Sequence, residues 1–134
     1  MSIKEEIIEF IENFVLESKC KELFRKPVVG FSSANNPLYE ELTEIVGAEH
    51  LHPKDILPNA QTVISFFIPF SVNIVNSNRE NSAVSKEWGI SYVEANKLIN
   101  QISDSLVDYL DNKNINSATI KATHNYDEKT LKSA

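Results

Sequence analysis

The run Thr62 to Phe70, TVISFFIPF, constrains the fold of this chain more than any other stretch. It is the longest run of apolar and β-branched residues, and the proline-bounded turn Pro58-Asn59-Ala60 leads into it. Such a composition suits a central strand. Pro69 lacks the amide a ladder needs, which places it at the strand's end or on a sheet edge, so the strand stops near Phe70. Val28-Val29-Gly30-Phe31, directly after Pro27, reads as a first buried strand, with Gly30 marking a bulge or a close backbone approach. Ala118 to Thr123 alternates around Ile120 as a half-exposed third strand would.

Helical signals lie between these runs. Ser2 and Glu5 have capping-box spacing, and Ile3, Ile7, Ile8, Ile11, Phe14 and Val15 then recur at three- and four-residue intervals to about Ser18. Such an amphipathic face covers a core or, at a terminus, pairs with a second copy. Asn36-Pro37 supplies an N-cap and a first-turn proline for a second helix that buries Leu38, Leu42, Ile45 and Val46 and ends at Gly47. Ser91 and Glu94 repeat the capping-box spacing ahead of the longest helix, about Tyr92 to Asp111, with Ala95, Leu98, Ile99, Ile102, Leu106 and Leu110 on one face. Asn112-Lys113-Asn114 breaks it. Asn125 or Asp127 can cap a further helix, which the chain would leave within about two turns, as though cut from a longer polypeptide.

The expected fold is therefore one α/β domain over residues 1–134. It has a small mixed or parallel sheet of about three main strands, near 27–32, 62–70 and 117–123, covered by three to four helices. The Asn- and Ser-rich stretch 71–86 reads as a long connection, of the kind that often carries a lid or a binding segment.

Composition excludes several functions. A chain with 42% apolar and 24% charged residues is neither disordered nor membrane-embedded. No apolar run approaches the roughly 18 residues of a membrane span, and no secretory signal opens the sequence, which points to the cytoplasm. A net charge of -6 argues against direct nucleic-acid binding, which needs clustered Lys and Arg. Cys20 is the only cysteine, so the chain itself can hold neither a disulfide nor a thiolate-ligated cluster.

Few residues offer chemistry. Cys20 lies among Lys19, Lys21 and Arg25, cations that lower a thiol pKa, but it equally fits a half-buried helix cysteine. Glu40, Glu41 and Glu44 read as a solvated face rather than a divalent-metal site. Glu49, His50, His52 and Asp55 contain zinc-type ligands at a spacing that defines no site, and Pro53 puts them on a turn. Trp88 either stacks on a planar ligand or packs on the sheet. His124 has the reference pKa of a general base but no partner fixed beside it. No nucleophile elbow, Walker loop or dinucleotide fingerprint is present.

Three segments carry a resemblance: Val28-Val29-Gly30-Phe31-Ser32, the turn and strand from Pro53 to Phe66, and Gly89-Ile90-Ser91-Tyr92. From about residue 27 the chain resembles the N-terminal part of the epoxyqueuosine reductase family and its archaeal and clostridial relatives. In that family a turn of the form Pro-x-x-Leu-Leu-Pro-Gly-Ala leads into a strand; Ile56 and Asn59 depart from it here. The resemblance implies the N-terminal domain of a cobalamin- and iron-sulfur-containing oxidoreductase acting on a modified nucleoside in tRNA. The cluster cysteines and much of the cobalamin pocket would lie downstream, and this domain would not be catalytic alone. Pro69, Phe70, Ser91 and Tyr92 would border the shared cofactor or substrate pocket. The family's catalytic aspartate falls on Ser91 and its histidine on Val93, and serine cannot replace a carboxylic acid as proton donor, which counts against epoxyqueuosine reduction itself. The alternative is a free-standing α/β module that binds a protein partner or small ligand through 71–86.

Overall fold

The computed structural model describes residues 1–41, 52–79, 86–120, 126–127 and 132–133, with backbone alone at 78–79 and in the last two pairs. Helix α1 (Ile3–Glu17) begins where expected: the Ser2 hydroxyl accepts the Glu5 amide at 3.2 Å, and Glu5 and Glu6 lie at the positive end of the helix dipole. It ends at Ser18, whose amide and hydroxyl both donate to the Val15 carbonyl. A single 3-10 turn, Lys21–Leu23, follows.

Strands β1 (Val28–Ser33) and β2 (Thr62–Phe67) pair antiparallel, Val28 opposite Phe67 and Ser33 opposite Thr62. The expected three-stranded mixed or parallel sheet is thus a two-stranded antiparallel one. The excursion between the strands returns to its starting point, since the Ala34 amide donates to the Gln61 carbonyl at 2.9 Å, so it closes a wide hairpin instead of crossing over. Residues 115–120, which include the start of the expected third strand, join no ladder among the described residues, and 121–123 lie outside them. Gly30 marks neither a bulge nor a close approach: the register runs unbroken through it, and a Cβ there would meet nothing within 4 Å.

The irregularity lies elsewhere. Phe24 bridges Phe70, so Arg25, Lys26 and Pro27 stand against only Ile68 and Pro69, one extra residue on the first strand. Both prolines fall in this gap, where no ladder amide is required.

Helix α2 (Pro53–Ile56) is one turn, closed by a box in which His52 Nδ1 accepts the Lys54 amide and Asp55 accepts the His52 amide. The second helix expected after Asn36 does start there, with the Asn36 side chain accepting the Leu38 amide and residues 38–41 helical, but Leu38 is 59% exposed instead of buried. Leu42, Glu44, Ile45, Val46 and Gly47 lie outside the described residues.

The expected loop at 71–86 contains helix α3 (Val72–Arg79), which starts where the Ser71 hydroxyl accepts the Ile74 amide and packs on the next helix. That helix, α4 (Lys86–Asp111), is already helical five residues before Ser91 and runs through Gly89, so Ser91 is an interior residue and no N-cap. Its end is a Schellman closure: the Ile115 amide reaches the Leu110 carbonyl, the Asn114 amide reaches that of Asp111, and Asn114 takes φ 63°. In place of the expected terminal helix, β3 (Tyr126–Asp127) pairs antiparallel with β4 (Lys132–Ser133); so short a helix is marginal by itself.

The core forms where α1 and α4 meet above the inner face of the β1–β2 ladder. Ile7, Ile11 and Val15 pack with Leu98, Ile102, Leu106 and Leu110, and Ile11 and Ile102 are 0% exposed. Each such side chain contributes about 1.5–3 kcal/mol by leaving water. Val29, Phe31, Ile64 and Phe66 close the cluster from below. The helices run antiparallel, as the 3.2 Å ion pair between Glu6 and Lys113 at their meeting ends requires.

Candidate functional site

The four residues expected to border one pocket come from two parts of the chain. Pro69 and Phe70 sit beyond the end of β2. The Pro69 carbonyl accepts the Arg25 amide at 2.8 Å, and Arg25 Nε donates to the Phe70 carbonyl at 2.7 Å. The Phe70 ring stacks near Phe24 and meets Trp88 edge-on at 4.8 Å, which puts Trp88 in the packing role. Ser91, one turn past Trp88, is 0% exposed, and its Oγ has no hydrogen-bond partner. Tyr92 follows it on the helix, about 100° further round, and is 46% exposed.

The surface best shaped for binding is a groove of about 870 Å³ along the inner face of the ladder. Ile7 of α1, Phe31, Ile64 and Phe66 of the strands, and Leu106 and Leu110 of α4 make its apolar walls, and residues 115–120 also line it. Polar side chains, among them Tyr39, Asn59, Gln61, Ser103 and Asn116, line it as well. Lys4 sits at the rim with Nζ 5.4 Å from the centre of the Phe31 ring, and the Ser117 hydroxyl is buried with no partner. None of the four expected residues lines it, and among the described residues no acidic side chain does. Sequence inspection misses the groove because its walls are residues that read simply as core.

A smaller depression of about 360 Å³ between the end of α1 and α4 holds Cys20, half-buried, with Sγ 3.8 Å from the Ser18 hydroxyl. His52 and Asp55 cap α2 instead of forming a metal site, and no cluster of three metal-ligating side chains occurs among the described residues. Glu49, His50 and His124 lie outside them. No helix among the described residues is long and apolar enough to cross a membrane.

The arrangement is a small α/β layer with a groove on the inner face of its ladder. Among the described residues the groove pairs no base with a nucleophile or an acid. An iron-sulfur cluster does not fit the described residues, which hold a single thiol, that of Cys20. No protein-family model, no curated protein and no solved structure matches the chain.

Proposed function

We propose that the chain is a non-catalytic domain of an epoxyqueuosine reductase-like protein, forming one wall of a pocket completed by polypeptide outside these 134 residues. The observation that carries this reading is the unprotected state of the β1–β2 ladder. Among the described residues nothing pairs with either outer edge, and the strands VVGFSS and TVISFF contain no charge, no proline and no bulge. Edges that face water are normally blunted by those devices. A two-stranded ladder is also marginal by itself, and here Val28 and Phe67, opposite each other on the outer face, are 63% and 65% exposed. Such a ladder is suited to extension by further strands, and the polypeptide that supplies them can cover the groove.

In this reading any cobalamin, any iron-sulfur cluster and any tRNA substrate belong to the remainder of the protein, an oxidoreductase of the cytoplasm. The described residues of the stretch 71–86, through which a free-standing module would bind, line neither of the two cavities described.

The gene's reading frame past Ala134 is the first test. A downstream segment with cluster-type cysteine spacing is expected, and a stop codon directly after Ala134 overturns the proposal. The second is titration of the purified chain with hydroxocobalamin, followed by visible absorbance. A flat spectrum is expected, whereas a stoichiometric shift means that the chain has a cofactor site of its own.

A further inference from the structure

We draw no further inference here: the strongest candidate, the apolar groove between α1, the inner face of β1–β2 and α4, belongs to the site already described, and nothing in the structure shows what covers it.

Discussion

Replacing Ser91 with alanine distinguishes two descriptions of the longest helix by the sign of one free-energy change. As an N-cap, Ser91 would contribute about 0.5–2 kcal/mol, and its loss would destabilise the protein. In the structure it lies inside α4, fully buried, with an unpartnered hydroxyl. A buried polar group without a partner costs about 1–3 kcal/mol, and alanine is the better helix former by up to about 0.5 kcal/mol. Against this stands the lost dispersion of one oxygen, a few contacts at about 0.1–0.2 kcal/mol each. The expected result is a net gain of about 1–2 kcal/mol, or about 3–5 °C in Tm per kcal/mol for a domain of this size. Urea and thermal unfolding can be followed through Trp88, the chain's one tryptophan, which leaves its edge contact with Phe70 as the core opens. A fall in the urea midpoint at unchanged m refutes the buried-orphan argument.

Truncating Ile102, which has no exposed surface, to alanine is expected to cost about 2–5 kcal/mol, a large part of a typical domain's stability; a loss below about 1 kcal/mol in urea unfolding would place the core elsewhere. Gly30→Ala is expected to stabilise by about 0.4–1 kcal/mol, since the added Cβ meets nothing and the unfolded chain loses freedom; destabilisation in the same assay means the outer face of the ladder is already covered. The Lys113 pKa is raised from its ordinary 10.5, first by the hydrogen bond to Glu6 and then by its charge. A raised folded-state value means that the tie's contribution is complete below 10.5 and disappears as pH climbs through the folded-state pKa. The midpoint difference between the wild type and Lys113→Met should therefore be constant at neutral pH and vanish only above the lysine range. A difference that persists there comes from packing of the lysine stem near Tyr109.

Local signals made α1, β1, β2 and the buried face of α4 legible. The Ser2 cap and the isoleucine spacing are written within one element, and so are the apolar, β-branched runs of the two strands. What failed was long-range or disguised. Strand direction depends on where the 34–61 excursion returns, which no local pattern records. Ser91 and Glu94 after Gly89 imitate a capping box inside a continuous helix whose stability comes from packing, so the imitation placed its start too late. The α3 sequence VNIVNSNR is poor in strong helix formers, and the Ser71 hydroxyl and contact with α4 hold it instead. The groove stayed hidden for a related reason: its walls and the core are one set of residues, and only the third dimension separates those that are covered from those that are not.

The antiparallel pairing of α1 with α4 also has a consequence during synthesis. The stripe of Ile7, Ile11 and Val15 leaves the ribosome about 90 residues ahead of the Leu98 to Leu110 face that it packs against, and at about 5–20 residues per second it waits for roughly 5–20 s. During that interval the nascent chain presents an amphipathic helix that has only β1 and β2 to pack against, a natural target for a holdase. The α4 part of its packing becomes available only late, as the last turn of α4 brings Lys113 within reach of Glu6.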